Sequence, residues 1–283
     1  MVRVLIFLFF TFVFANKSFA NEIKPLLWKL EKDNKNIYFI GITPVIQEDI
    51  KISEEISNII INSDIIVFET DTNYLSKEDY ARLLYLPDNE NLQAYLSSQN
   101  WIELTRLTKT RNYSSYVTNK LKPWYISSIL SVPKVSTNNF ENILKDLALK
   151  NKKNILIMEN PEENLKLFDK VPLNEHIGIL NEIIEDIDKI HSQAFLIYQK
   201  YLEQDISSLE NIIFSEEKLS KYKDYYKILF FDRNLKWISK IENLINDNKS
   251  CTFILNINNI LGDKGIIQEM KNMGYNIRFV SSK

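Results

Sequence analysis

The chain has 283 residues, of which 45% are hydrophobic, 12% aromatic and 25% charged. This ordinary globular composition excludes a protein that is disordered over most of its length, and it leaves room for one large domain or two small ones. The formal charge of −2 argues against a nucleic-acid binder that acts through a basic surface. Cys251 is the single cysteine, so no intramolecular disulfide can form, and we expect it in the core.

Residues 1–20 have the pattern of a secretory signal peptide. Arg3 gives a positive start, an apolar core follows at residues 4–15, and Ser18-Phe19-Ala20 forms a small-x-small cleavage site. That core is shorter than the roughly twenty residues that a spanning helix needs. We therefore expect cleavage before Asn21, an exported protein that is periplasmic or secreted, and no stable membrane span afterwards. The alternative is an uncleaved anchor.

The first elements of the mature chain form a β-β-α-β unit. Apolar and polar residues alternate at residues 26–31 and again at 36–41, and a polar turn at residues 33–36 lies between the two segments. This pattern predicts a β-hairpin. Residues 53–62 carry isoleucines at helical spacing behind Ser53, a good N-cap, and predict a helix. The apolar run at 64–69 is typical of a strand buried on both faces.

The middle of the chain is largely helical. A strand is predicted at residues 153–159, after which Pro161 opens a helix, and residues 172–247 are helical with breaks near Gln204 and Ser215. Before that strand, helices are predicted at residues 78–86, 91–98, 101–110, 123–131 and 139–149.

In the carboxyl-terminal part of the chain, strands and helices alternate again. Residues 251–257 form a strand, residues 265–273 a helix ended by Gly274, and residues 276–280 a last strand. No Pro-, Gly- or Ser-rich linker divides the chain. We predict an α/β fold with a β-sheet core built from N- and C-terminal α/β units and a large helical middle region. Residues 21–283 would form a single domain, with the helical insertion at about 76–150 and 172–247.

Six motifs follow one another in an order that is typical of one protein family. They are Trp28-Lys29 leading to Gly41-Ile42-Thr43-Pro44, then Val67-Phe68-Glu69-Thr70-Asp71, Pro123-Trp124, Ile157-Met158-Glu159-Asn160-Pro161-Glu162-Glu163-Asn164-Leu165, Arg233-Asn234-Leu235-Lys236-Trp237, and Asn256-Ile257-Asn258-Asn259 with Gly262 and Gly265. Over nearly the whole mature chain, the sequence resembles the TraB/GumN family, a superfamily of Tiki-like metalloproteases.

The resemblance implies a metal site that this chain has altered. Metalloprotease members carry two Gly-x-x-His strand ends, whose imidazoles and nearby acidic groups hold a metal that activates water. Pro44 and Asn259 stand at those two His positions. Proline offers only a backbone carbonyl, and a carboxamide is a weak ligand. We therefore expect no cofactor, unless a rebuilt site binds Mn, Co or Zn. His176 and His191 match no metal position of the family, and we expect both at the surface or in helix packing.

Three other polar residues are the candidates for a pocket. Glu69 and Glu159 both end predicted strands, where a carboxylate pair could bind a metal or share a proton. The alternative is that they bond to helix N-termini or pair with Arg233. Arg233, next to Asn234, suits either an anionic ligand or one of those carboxylates. The candidate catalytic residues are thus Glu69, Glu159 and Arg233, without an assigned metal ligand.

Three functions are compatible with these features. The leading hypothesis is an exported, non-catalytic relative of metal-dependent hydrolases, a pseudoenzyme that binds a peptide or another protein. The second is an active metal-dependent protease or hydrolase with a rearranged site, in which Asn259 takes part and Arg233 stabilises an oxyanion. The third is a structural or host-interaction protein, which an exposed apolar patch without a polar pocket would favour. The oligomeric state stays open.

Overall fold

The structure is a computed structural model that describes residues 21–43, 50–71, 75–133, 140–247 and 249–280. The predicted signal peptide and Pro44 lie outside the described residues. The described strands are β1 (Asn21–Ile23), β2 (Leu26–Lys32), β3 (Lys35–Ile42), β4 (Ile50–Ile52), β5 (Ile65–Phe68), β6 (Asn154–Ile157), β7 (Cys251–Asn256) and β8 (Ile277–Phe279).

Six of these strands form one mixed sheet in the order β6-β5-β7-β3-β2-β8. Strands β6, β5, β7 and β3 are parallel, and β2 is antiparallel to both of its neighbours. The hairpin prediction is confirmed, but its turn is shorter than expected: Asp33 and Asn34 adopt positive φ, and Lys35 and Asn36 already belong to β3. The chain also forms a small parallel sheet of β1 and β4 that its sequence pattern did not indicate.

Helices cover both the predicted insertion and the connections between strands. The first group comprises α1 (Glu54–Asn62), α2 (Lys77–Leu84), α3 (Ser98–Lys109), α4 (Ser115–Lys120), α5 (Pro123–Ser131), α6 (Phe140–Lys150), α7 (Pro161–Phe168) and α8 (Leu173–Glu185). The second comprises α9 (Ile187–Leu202), α10 (Ile206–Ile213), α11 (Glu216–Lys221), α12 (Lys223–Tyr226), α13 (Asp232–Asn246), α14 (Ile257–Ile260) and α15 (Ile266–Asn272).

Helix boundaries follow their capping residues. Ser53 caps α1, as predicted, through its Oγ, which accepts from the Ile56 N–H at 3.2 Å. The helix predicted at 91–98 is wrong: those residues form only a 3-10 turn, and Ser97 starts α3 by accepting from the Asn100 N–H. Asp186 caps α9 and introduces a break that was not predicted. The breaks near Gln204 and Ser215 are confirmed.

Buried apolar side chains form two clusters. The larger one covers both faces of the main sheet and contains Phe39 and Phe253, whose rings stack at 5.0 Å between centroids. The smaller one lies among the helices of the middle region, around Leu104 and Trp124. The α/β fold with a large helical region is confirmed. The single-domain arrangement stays a prediction.

The described helices lack the features of a membrane span. None of those helices combines the length and the apolar character of a membrane span. Residues 1–20, where the signal peptide is predicted, lie outside the described residues.

Candidate functional site

The polar site lies where the parallel strands end. Strands β3 and β7 are parallel neighbours, and Ile42 of one is paired with Asn256 of the other. The two altered tetrads, which begin at Gly41 and Asn256, therefore start side by side at one edge of the sheet. Strands β5 and β6 end at the same edge, just before Glu69 and Glu159. This edge of a parallel sheet is where α/β proteins commonly bind ligands.

Glu69 is held by the start of the second tetrad. Its Oε1 accepts from the Asn256 backbone N–H at 2.6 Å and from the Asn259 side-chain amide at 2.9 Å. Asn256 also caps the short helix α14, because its Oδ1 accepts from the Asn258 N–H. Asn259, at one position where the family has an imidazole, thus donates its amide hydrogen to the carboxylate. The reverse orientation would set the amide oxygen against a carboxylate oxygen.

Glu159 is surrounded by donors from two helices. Its Oε1 accepts from Arg233 Nη2 at 2.5 Å and from the Asn164 side-chain amide of α7. Its Oε2 accepts from the indole N–H of Trp237 at 3.3 Å. Asn164 and Trp237 belong to the motifs noted in the sequence but were not predicted as site residues. Their helical positions, one turn past Pro161 and one turn past Arg233, place them beside the carboxylate.

Arg233 lies between the two carboxylates. Its Nη2 is 3.6 Å from Glu69 Oε2, and the exposed fractions of the Arg233, Glu69 and Glu159 side chains are only 10%, 17% and 13%. The guanidinium carbon lies 4.6 Å from the centre of the Trp237 ring, a cation–π contact. The three candidate residues therefore converge and contact one another, as the alternative of an Arg233–carboxylate pairing requires. Their role in a ligand pocket stays a prediction.

A π-helical segment positions the guanidinium. Residues Lys227–Phe231 form this segment directly before α13, and Arg233 Nη1 donates to the Leu229 carbonyl at 2.8 Å. A π segment widens the helix and leaves carbonyls off the regular i→i−4 ladder. The segment thereby fixes one side of the arginine fork, while Glu159 fixes the other. Sequence periodicity did not indicate this irregularity.

Burial dominates the electrostatics of Glu69. Removal from water raises the pKa of the Glu69 carboxyl above its ordinary value, and the nearby Glu159 acts in the same direction. The charge of Arg233 and the hydrogen bonds from Asn256 and Asn259 oppose this rise. The carboxyl is therefore harder to ionise than an exposed glutamate, even with a guanidinium beside it.

A second charged group beside Glu69 was missed from the sequence. Burial raises the pKa of Glu141, in the first turn of α6, to about 7, and the charges of Glu69 and Asp71 add to the rise while Lys145 opposes it. Lys145 of α6 forms an ion pair with Asp71. The sequence offered one indirect signal for this position. Helix α6 precedes strand β6, and a helix that crosses over to a parallel strand begins near the carboxyl edge of the sheet, where Glu69 lies.

The remaining polar candidates lie away from the carboxylates. The Asn234 amide donates to the Lys264 carbonyl at 2.9 Å and ties α13 to the loop before α15. His176 is buried in α8, with Nε2 2.8 Å from the Phe168 carbonyl oxygen, and burial lowers its pKa. His191 Nε2 lies 2.8 Å from the Leu130 carbonyl oxygen. Both histidines therefore serve helix packing, as expected, and Cys251 is a buried free thiol, also as expected.

Several buried polar atoms at the site have no hydrogen-bond partner within the described part of the chain. They include the Thr70 hydroxyl, which can donate or accept, the acceptor Asn259 Oδ1 and the donor Arg233 Nε. A buried polar atom without a partner costs about 1–3 kcal/mol. Native proteins retain such atoms rarely, and often where a water molecule or a ligand completes the bonds.

The donor set does not fit the divalent metal that the family resemblance implies. Glu69 Oε1 and Glu159 Oε1 each accept two hydrogen bonds already, and the Arg233 cation lies against both carboxylates. Asn259 presents its N–H to Glu69 where an imidazole would present a lone pair. Within the described residues, no group of three or more His, Cys, Asp or Glu side chains is arranged to hold a metal ion.

Comparisons with known proteins add one finding to this geometry. Neither the curated proteins nor the solved structures include a significant match to this chain. A sequence model of the TraB/PrgY/gumN family, however, matches residues 26–278, which include both tetrads, both carboxylates and Arg233. The chain therefore belongs to the TraB/PrgY/gumN family.

Proposed function

We propose that this chain is an exported protein that binds a peptide, or an extended segment of another protein, at the Glu69–Arg233 pocket and does not hydrolyse it. The observation that carries the proposal is the set of unsatisfied buried atoms at the pocket, Thr70 Oγ1, Asn259 Oδ1 and Arg233 Nε. A peptide group supplies both an N–H for such acceptors and a carbonyl for such a donor. These atoms therefore offer both kinds of bond that a main chain can complete, and this supports the proposal.

Two further features support binding without hydrolysis. Pro44 and Asn259 stand where the family resemblance implies metal-binding imidazoles. Glu159 accepts bonds from Arg233, Asn164 and Trp237, which occupy three of the roughly four acceptor sites of its carboxylate and leave little of it for a general base. The carboxylates then serve to fix Arg233 and Asn259, and these two side chains present their remaining polar atoms to the ligand.

Peptide binding can be measured directly. A display library of random peptides is selected on the purified protein, and the affinity of a recovered peptide is measured by calorimetry. Thr70→Val removes one acceptor at nearly constant volume, and we expect Kd to rise about fivefold because one hydrogen bond contributes about 1 kcal/mol. Thr105→Val, on an exposed face of α3, is the control that should leave Kd unchanged. Equal affinity in all three proteins would contradict binding at this pocket.

The hydrolase hypothesis has its own test. The protein is purified in the presence of manganese, cobalt or zinc, its metal content is measured, and cleavage of a peptide mixture is followed by mass spectrometry. We expect substoichiometric metal and no cleavage above a blank. Stoichiometric metal together with turnover that disappears in Glu69→Ala would overturn the non-catalytic proposal and restore a metal-dependent hydrolase with a rearranged site.

Export is a separate part of the proposal and rests on the pattern of residues 1–20. We expect the protein expressed in a bacterium with a secretory pathway to be recovered outside the cytoplasm with Asn21 as its first residue, as read by N-terminal sequencing. Recovery of the full-length chain in the cytoplasm, or in the membrane fraction, would contradict it.

A further inference from the structure

Strand β6 is the last strand on one side of the main sheet, and no described strand pairs with its outer edge. Its inner edge is set by the register with β5, in which the Met158 N–H donates to the Phe68 carbonyl at 2.8 Å. In a parallel ladder, alternate residues bond to the same neighbour. The N–H and C=O groups of Ile155 and Ile157 therefore point away from the sheet, towards the side that lacks a partner strand.

This edge has little of the protection that isolated sheet edges carry. Strand β6 contains neither a proline nor a charged residue, and its Ile157 side chain is 37% exposed. Such an edge is a template for a further strand, because its outward N–H and C=O groups can join a ladder. Because β6 is short, it can form only a few interstrand hydrogen bonds. The charges of the flanking residues must therefore contribute to the choice of partner.

The charges on either side of β6 indicate what that partner is. Lys152 and Lys153 precede the strand, whereas Glu162 and Glu163 follow it at the start of α7. Lys166 Nζ lies 2.8 Å from Glu162 Oε1, so Glu162 is paired within its own helix, whereas Glu163 is exposed. In an antiparallel pair, the residues that precede the partner strand lie next to the end of β6. The best complement is therefore a strand that is basic before it starts and acidic after it ends, which is the charge order of β6 itself.

We infer that two copies of this chain associate through their β6 strands, which pair antiparallel about a two-fold axis and join the two sheets. The outward groups must meet as hydrogen-bonded pairs, so Ile155 of one copy lies opposite Ile157 of the other. Leu156 then lies opposite its own counterpart in a non-hydrogen-bonded pair, with Cα atoms about 4.5 Å apart. In this register, Lys152 of each copy approaches the beginning of α7 in the other, where Glu163 lies. An interface of this kind is self-complementary, as a two-fold axis requires.

The register is tested by a cysteine at the two-fold axis. In Leu156→Cys the two thiols meet at a separation that a disulfide spans, so mild oxidation should convert most of the protein into a covalent dimer on non-reducing gels. Asn154→Cys is the matched control, because the register sets residue 154 opposite residue 158 and away from its own counterpart. The unmodified protein should give no covalent dimer, because its Cys251 is buried.

The association itself is tested by sedimentation equilibrium of the purified protein. We expect twice the monomer mass for the unmodified chain and the monomer mass for Ile157→Lys, with an unchanged far-UV circular dichroism spectrum because that residue lies at the surface. Lys152→Glu should weaken the dimer, and adding Glu163→Lys to it should restore the dimer by reversing both charges. A monomer at every concentration would overturn the inference, as would a dimer that persists in Ile157→Lys and fails to cross-link at residue 156. A monomer that captures an extended foreign peptide along β6 would likewise exclude self-pairing.

Discussion

At the scale of the residue, the site is organised by one guanidinium with two carboxylates. Arg233 is positioned by Glu159, by the Leu229 carbonyl and by the ring of Trp237, and it lies 3.6 Å from Glu69. A charge at the surface would gain little from such partners, because water and salt screen it. Here the side chains are mostly buried, so each charge depends on the others.

We therefore expect Arg233→Met to be strongly destabilising. Removing one partner of a buried ion pair leaves uncompensated charge, which costs about 3–5 kcal/mol. The free energy of unfolding is measured by urea denaturation. Arg278→Met is the matched control, because Arg278 pairs with Glu31 at the surface and should lose at most about 1 kcal/mol. Similar losses in the two variants would show that the Arg233 cluster contributes no more than a surface pair.

Glu141 gives the site a pH dependence with a defined sign. Its pKa is about 7 in the folded protein and about 4.5 in an exposed glutamate, so between these values the folded state holds a proton that the unfolded state has released. Unfolding then releases a proton, and stability falls as the pH rises through this window, by on the order of 1 kcal/mol after allowance for partial screening. Glu141→Gln should flatten that fall.

Urea denaturation at a series of pH values checks this expectation. Glu78→Gln, in the first turn of α2, is the control and should keep the pH dependence of the unmodified protein. If Glu141→Gln follows the same pH curve as that control, Glu141 does not carry the effect.

At the scale of the element, the loop from α14 to α15 depends on close backbone contact. Gly265 has an ordinary φ of −74°, yet a Cβ there would lie 2.3 Å from the carbonyl oxygens of Ile260 and Leu261. Gly274 is the opposite case, because its φ is +92° and nothing lies within 4 Å of an added Cβ. One glycine is thus required by packing and the other by backbone conformation.

The two glycines should respond differently to the same substitution. Gly265→Ala forces backbone atoms apart and should cost about 3 kcal/mol, whereas Gly274→Ala meets only conformational strain of about 1–2 kcal/mol. Thermal and urea unfolding rank the two variants. The reverse order would mean that the loop relaxes around the added methyl group without resistance.

At the scale of the whole molecule, helix α9 connects the two hydrophobic clusters. Ile187 and Ile190, near the start of α9, pack against the helical cluster, and Tyr198 and Tyr201, near its end, belong to the sheet cluster. The Tyr201 hydroxyl also donates to the Gly41 carbonyl at 2.8 Å, beside the first tetrad. Loss of packing in either cluster should therefore loosen the other.

We expect the chain to unfold in one cooperative transition. Leu104→Ala in the helical cluster and Leu255→Ala in the sheet cluster should each lower the stability of that transition by about 2–5 kcal/mol, because both side chains are fully buried. Leu149→Ala, at a side chain that is 55% exposed, is the control, with a change within about 0.5 kcal/mol. Circular dichroism and tryptophan fluorescence should report the same midpoint. Two separate transitions would indicate two domains.

The sequence by itself determined the elements whose causes are local. The hairpin, the capped start of α1 and the proline at the start of α5 follow from alternation, a serine oxygen and a fixed φ, all of which act within a few residues. The ordered motifs also indicated the family and drew attention to Glu69, Glu159 and Arg233. Local signals gave the wrong helix boundaries in two places. Residues 91–98 do not form the predicted helix because Ser97 is the N-cap of α3, and Asp186 ends one helix and caps the next.

Only the tertiary structure decided what those site residues do. Strand order brings Gly41 next to Leu255 and sets Glu69 within reach of Asn259, although the paired residues are far apart in the chain. The π-helical segment that holds Arg233 and the position of Glu141 have no local signature either. The physical reason is that periodicity and capping act over a few residues. Burial, charge pairing and the number of bonds an oxygen accepts are set by the elements that pack around it.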